Sequence, residues 1–166
     1  MLHRYIDVRR GGKEGRGLFA TEDIKKGEIV WTLDKEEKII SKEERDTLPD
    51  ETRRFAFQYK NGFIVVHDGS EFMNHSCDPN LWWNGDNTLS AVQDIKKGEE
   101  ITYDYSTADV GSWIAEWICN CGSKDCRKKI TGNDCLAKDF QEKYKGHLPS
   151  WAQEYINASI NNLSSN

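Results

Sequence analysis

The sequence predicts a mainly β, α+β fold of short sheets, with small helices inserted and two helices appended at the C-terminal end. Three observations carry that expectation. Two stretches, Ala20–Val30 and Ala91–Ile101, share the hexapeptide Asp-Ile-Lys-Lys-Gly-Glu between β-prone flanks such as Ile29-Val30-Trp31 and Ile101-Thr102-Tyr103. The apolar runs are short and bounded by turn residues, as in Phe63-Ile64-Val65-Val66 after Gly62. Helix-forming segments are confined to residues 41–58 and to the chain beyond Lys138.

In chain order, Gly11-Gly12-Lys13-Glu14-Gly15-Arg16-Gly17 opens as a glycine-rich turn. A lone G-x-G is weak, and no long helical period follows it, so a dinucleotide-binding crossover is not expected. The hexapeptide occurs only twice, too few and too far apart for a solenoid, so each copy reads as a strand–turn–strand unit. Ser41 with Glu44 is a capping-box pattern opening a short helix. Pro49 and Asp50 break it, and Glu51–Gln58 is predicted as a second short helix. Phe63–Val66 follows as a buried strand. Ala108–Trp117 reads as a loop passing into a helical turn. Lys138–Tyr144 and Trp151–Ile160 form two amphipathic helices divided by Gly146 and Pro149, and the chain is expected to fray from Asn161.

A length of 166 residues fits one domain able to bury a core. The apolar fraction is only 37%, but six Trp, six Tyr and six Phe need an interior, which excludes a disordered chain. Net charge is −5, from 28 acidic and 23 basic side chains. That balance argues against a direct nucleic-acid partner and suits a basic protein partner. No apolar run approaches the about eighteen residues of a membrane span, and the first residues are charged, unlike a signal-peptide core. The expectation is an intracellular protein without membrane contact, with nothing to choose nucleus over cytoplasm. Five cysteines, an odd count without a secretion signal, argue against a disulfide framework.

Three of those cysteines stand as Cys119-x-Cys121-x4-Cys126 on one tight loop. Structural zinc takes four ligands, so the loop needs a fourth, either Cys77 or Cys135; free thiols are the plain alternative. Asn74-His75-Ser76-Cys77-Asp78-Pro79-Asn80 packs five chemistries into one loop stiffened by Pro79. Alone it could be a turn whose Asn and Asp satisfy their own backbone. Glu99–Tyr105 alternates as a strand does, with Tyr103 and Tyr105 on one face. Such a pair is usually core, although a buried phenol must find a partner and can orient a polar atom.

In this order, Gly15-Arg16-Gly17, the Asn74–Asn80 string, Ile101-Thr102-Tyr103-Asp104-Tyr105 and Cys119-Asn120-Cys121-Gly122-Ser123-Lys124-Asp125-Cys126 resemble a SET domain with its post-SET zinc loop, over roughly residues 11–130. The resemblance implies a SET-type fold with a knot-like threading, and transfer of methyl groups from S-adenosylmethionine to protein lysines, on a histone tail or another basic protein. It implies a SET domain over 1–117, a zinc loop over 118–135 and a helical tail over 136–166. The backbone around Glu14, Gly15, Arg16 and Gly17 would hold the cofactor with Asn74 and His75, and Trp117 would cover its adenine. Tyr105 would be the catalytic tyrosine. Tyr103 would limit the methyls added, favouring mono- or dimethylation. Zinc would be structural on Cys77, Cys119, Cys121 and Cys126, leaving Cys135 a free thiol. Glu71 stands where the family often has arginine, the Val66–Phe72 connection is short, and Trp31-Thr32-Leu33-Asp34 departs from the usual pattern, so the acceptor groove is the least familiar part. A zinc-bearing interaction module without turnover is the alternative, and the intact Tyr105 and Asn74-His75 speak against it.

Overall fold

The computed structural model describes residues 1–12, 15–34, 36–113 and 116–164. The chain forms β1 (Ile6–Gly12), β2 (Gly15–Ala20), β3 (Ile29–Thr32), α1 (Lys42–Asp46), α2 (Asp50–Arg53), β4 (Ala56–Tyr59), β5 (Gly62–Val65), β6 (Asn74–His75), β7 (Leu81–Trp83), β8 (Thr88–Ala91), β9 (Glu100–Tyr103), β10 (Trp117–Ile118), β11 (Lys129–Ile130), α3 (Lys138–Lys143) and α4 (Ser150–Ser164). Among the described residues these strands make four small sheets, with strand orders β1-β2-β9-β6, β3-β8-β7, β4-β5 and β10-β11. The mainly β expectation holds.

The repeated hexapeptide does not make two hairpins. Each copy carries the chain from one sheet to another, β2 to β3 and then β8 to β9. The two turns lie against each other reciprocally, about an antiparallel bridge between Ile24 and Ile95. Lys25 pairs with Asp94 and Lys96 with Asp23, both at 2.9 Å. The same carboxylates accept the backbone N–H of Lys26 and Lys97, each at 3.0 Å. Gly27 and Gly98 both take φ of 88°, a left-handed turn that glycine adopts without a side-chain clash.

The capping box at Ser41 is present in full: the Ser41 hydroxyl accepts from Glu44 N, and the Glu44 carboxylate accepts from Ser41 N. The second helix is shorter than the sequence suggested. It ends at Arg53, and Ala56-Phe57-Gln58-Tyr59 instead pairs with β5 through a two-residue turn, Tyr59 opposite Gly62. Phe57 and Tyr59 prefer a pleated surface, and Gly62 allows the close return. The C-terminal helices form as predicted, except that α4 runs to Ser164 without fraying at Asn161.

The core centres on tryptophans. Trp83 meets Trp31 edge to face at 6.1 Å and Trp151 of α4 at 5.7 Å. Trp151 donates its indole N–H to Ala108 O at 2.8 Å. The tail is thereby part of the core, since Trp151, Ala152 and Ile156 are all buried.

Candidate active site and thiol cluster

β6 is only two residues long, yet it pairs in parallel with the inner strand β9, Asn74 opposite Thr102 and His75 opposite Tyr103. A side chain a few residues further on keeps it there. The buried Asn80 amide accepts from Thr102 N at 3.0 Å and donates to Glu100 O at 2.8 Å, and so continues the ladder along β9. Asn74 and Tyr103 are thus fixed on neighbouring strands before any ligand is considered.

Asn74 faces the β1–β2 hairpin. Its amide donates to Arg16 O and to the Glu100 carboxylate, both at 2.7 Å. This pair presses on the hairpin backbone. A Cβ on Gly12 would stand 2.7 Å from Glu100 Oε1 and 2.8 Å from Asn74 Nδ2, and one on Gly17 would collide with the same two atoms. Gly17 is therefore needed for this close approach. Gly15, Arg16, Asn74 and Tyr105 line a cavity of about 550 Å3 with Arg10, Arg54, Phe55, Glu71 and Phe72. Glu14 lies outside the described residues.

A second cavity, of about 220 Å3, has aromatic walls from Trp31, Phe55, Phe57, Trp83, Tyr103 and Tyr105. Asp109, Glu71, Arg54 and Ser70 are its polar lining. Arg54, Phe55, Glu71 and Tyr105 line both cavities, so the two adjoin along this wall. The Tyr105 hydroxyl donates to Met73 O at 2.7 Å, and the Tyr103 and Tyr105 rings lie 4.9 Å apart. β9 ends at Tyr103 and Tyr105 begins a 3-10 turn, so the two phenols line one cavity although the strand alternation does not extend to both. Burial holds the Tyr103 phenol well above its ordinary value, with the Asp109 charge adding to the effect.

Behind this wall, His75 Nδ1 accepts the Tyr105 N–H at 3.2 Å. The same Nδ1 lies 3.5 Å from Asp104 Oδ1, and Nε2 faces Cys77 Sγ at 3.3 Å. The ligand atoms of His75, Cys77, Cys119 and Cys121 all lie within 4.8 Å of one another, and all four residues are buried. Cys126 packs against the group, its thiol turned to Cys119 O at 3.5 Å. Cys135 lies elsewhere, buried in the main core, its thiol donating to Gly132 O.

The donor set suits a soft cation. Backbone N–H groups of Arg127, Cys77 and Cys121 point at the sulfurs of Cys77, Cys121 and Cys119, at 3.4 to 3.5 Å. Burial opposes a thiolate at Cys121, but hydrogen bonds from Ser123 and from Cys77 N–H outweigh it and bring it down to about 6. Burial pushes Cys77 up to about 11 and Cys119 upward as well. One sulfur is ready to bind while its neighbours need a cation's charge to ionise, as in a structural zinc site. In this structure the fourth donor atom grouped with the sulfurs of Cys77, Cys119 and Cys121 is His75 Nε2 or Nδ1, where the sequence points to Cys126, whose thiol is turned to Cys119 O.

Sequence reasoning did not find the buried network that joins these parts. Asp104, between the two tyrosines, receives both Arg127 guanidinium nitrogens at 2.6 and 2.7 Å and the Tyr144 hydroxyl at 2.9 Å. Arg127 also reaches Asp134 at 2.9 Å, and Lys143 donates to Cys77 O at 2.7 Å. Burial opposes the Arg127 charge, yet Asp104 holds its guanidinium above the ordinary range. The position of Arg127 immediately after Cys126 was the available signal. Arg54 and Phe55 had none, since they sit in an unremarkable turn between α2 and β4. Trp117 stands edge-on to His75 at 5.1 Å and 6.2 Å from Tyr105.

Comparison with known proteins bears on this geometry. The SET domain family model matches residues 15–106. Histone-lysine N-methyltransferase ASHH2 of Arabidopsis thaliana is 32% identical over 165 residues, covering 85% of this chain and 9% of that protein. Histone-lysine N-methyltransferase trithorax of Drosophila virilis is 33% identical over 146 residues, covering 76% of this chain and 4% of that protein. The chain thus spans a small part of the curated relatives it matches. The crystal structure of KRYPTONITE in complex with mCHG DNA and SAH superposes with a TM-score of 0.56 at 25% identity, over 76% of this chain and 29% of that one. With the match covering more than half of its length and the paired cavities at Tyr105, the chain belongs to the SET domain family.

Proposed function

We propose that this protein is an S-adenosylmethionine-dependent protein-lysine N-methyltransferase. The observation that carries the reading is that a mixed polar cavity and an aromatic one share Tyr105. When bound, S-adenosylmethionine supplies an electrophilic methyl group on a sulfonium. Arg10, Arg16 and the Asn74 side of the larger cavity suit its carboxylate-bearing methionine end, while His75 and Trp117 pack on Tyr105 from outside that lining. The aromatic cavity suits an extended lysine side chain, whose cation is favoured over aromatic faces. Tyr105 orients the amine at the junction; such positioning can supply on the order of 7–11 kcal/mol of barrier reduction. Tyr103 narrows the channel, in keeping with mono- or dimethylation.

Zinc held by Cys77, Cys119, Cys121 and Cys126 would be structural, since four thiolates leave no open position. The division into 1–117, 118–135 and 136–166 belongs to the same proposal, supported by Arg127, Lys143 and Tyr144, which reach back to the site. The names of the relatives support a histone as acceptor, and hence action inside the cell. Incubation with recombinant histone H3 and labelled cofactor should transfer methyl groups. Tyr105→Phe should lower that transfer by about 10²- to 10³-fold, the range for losing one positioned hydrogen-bonding group, while still unfolding cooperatively with at most about 0.5–1.5 kcal/mol lost for the Met73 O bond. Calorimetric titration with S-adenosylmethionine showing no binding would instead favour a module without turnover.

A further inference from the structure

We propose that Asp109 takes the proton from the acceptor's ε-ammonium before methyl transfer, a role that rests on the methyltransferase reading above. Asp109 lines the aromatic cavity together with Tyr103 and Tyr105. One turn separates it from Tyr105, whose carbonyl accepts the Asp109 N–H at 2.8 Å. Its Oδ1 accepts the Gln58 N–H at 2.8 Å, and no hydrogen bond engages Oδ2 among the described residues. A carboxylate with one oxygen unengaged among the described residues thus stands beside Trp31, Phe57, Trp83 and the two tyrosines, in a lining that also holds Arg54, Ser70 and Glu71. Glu71 lines the cavity too, but it sits with the cationic Arg54 on the wall common to both cavities, whereas Asp109 lines the aromatic cavity only.

The chemistry needs a neutral amine. An unperturbed lysine, with a pKa of about 10.4, is almost wholly protonated at neutral pH and has no lone pair to attack with. In the proposed step the N–H bond breaks, an O–H bond forms on Asp109 Oδ2, and ammonium plus carboxylate become amine plus carboxylic acid. Net charge in the cavity is unchanged, and apolar walls favour the neutral pair. The proton later leaves to solvent. Burial raises Asp109 to about 6, against the opposing positive charge of Arg45 on α1. The other groups around it are Tyr103 on β9, Gln58 on β4, Tyr105, Glu71 and Arg54, and Tyr103 stays protonated in this range.

Asp109→Asn keeps an acceptor for Gln58 N–H and removes the base. Transfer to histone H3 should fall by about 10²- to 10⁴-fold at neutral pH, the range for losing a general base. The wild-type limb near pH 6 should vanish, and the variant should recover as pH climbs toward the lysine value. S-adenosylmethionine should bind the variant with unchanged affinity by calorimetry. An acceptor carrying S-(2-aminoethyl)cysteine in place of lysine, whose ammonium is more acidic, should narrow the deficit. An unchanged rate, an equal loss at every pH, or a pH profile that moves with Glu71→Gln instead would overturn the proposal. A wild-type protein that transfers no methyl would sink the methyltransferase reading itself.

Discussion

Tyr105 occupies a position that a phenylalanine could fill by shape but not by chemistry, because its hydroxyl is committed to Met73 O where the two cavities adjoin. Asn80 shows how much one amide can fix. Replacing it with alanine leaves Thr102 N–H and Glu100 C=O unpaired beside buried β9, so Asn80→Ala should cost about 1–3 kcal/mol in chemical denaturation and loosen β6 with it. Asp109 carries the opposite sign. Its folded pKa, about 6, lies above the ordinary 3.8, so the folded state keeps a proton that the unfolded chain gives up. The contribution is full below pH 4 and is lost as pH rises through 6. Asp109→Asn should therefore be more stable than wild type at pH 7, by up to about 2–3 kcal/mol at about 1.36 kcal/mol per pH unit, with the gain disappearing below pH 4. Melting temperatures across that range check it. A gain in stability joined to a loss of turnover is what a carboxylate kept for chemistry predicts.

At the scale of elements, the site depends on short pieces tied by side chains rather than by long ladders. β6, β10 and β11 have two residues each. The Arg127–Asp104–Tyr144 network joins the cysteine loop and α3 to the segment carrying both tyrosines. Metal at the thiol cluster should hold the same loop. One zinc per chain is expected by elemental analysis; Cys121→Ser should release it and Cys135→Ser should not. Legibility in the sequence divides along the same line. The capping box, the hexapeptide turns, the polar loop and the cysteine spacing were legible because each is a local signal written in adjacent residues. The β4 strand was not, because Arg53–Gln58 has no clean period and takes its state from pairing with β5. Asp109 and Arg54 were invisible because a cavity is assembled from segments far apart in sequence. His75 was legible as a site residue, but its place 3.3 Å from the Cys77 sulfur was not, because that depends on β6 pairing with β9.

For the molecule as a whole, the thiol cluster and the two cavities share one spine, running from Cys77 through His75 to Tyr105, so the proposed zinc, cofactor and acceptor sites would be joined along it. Chelation should thus lower the melting temperature and S-adenosylmethionine affinity together, although no sulfur lines the larger cavity. The reciprocal turns built on Asp-Ile-Lys-Lys-Gly-Glu have a different consequence, one of timing. Each turn supplies the other's partners, so neither is complete until the whole chain between them has been enclosed. Their closure has high contact order and belongs late on the folding path, after local hairpins such as β4–β5. Because the two hexapeptides are identical, the first turn of one molecule also matches the second turn of another. During synthesis or refolding, intermolecular exchange is therefore disfavoured only by the flanking strands and by dilution, and crowded refolding is where swapped dimers would arise.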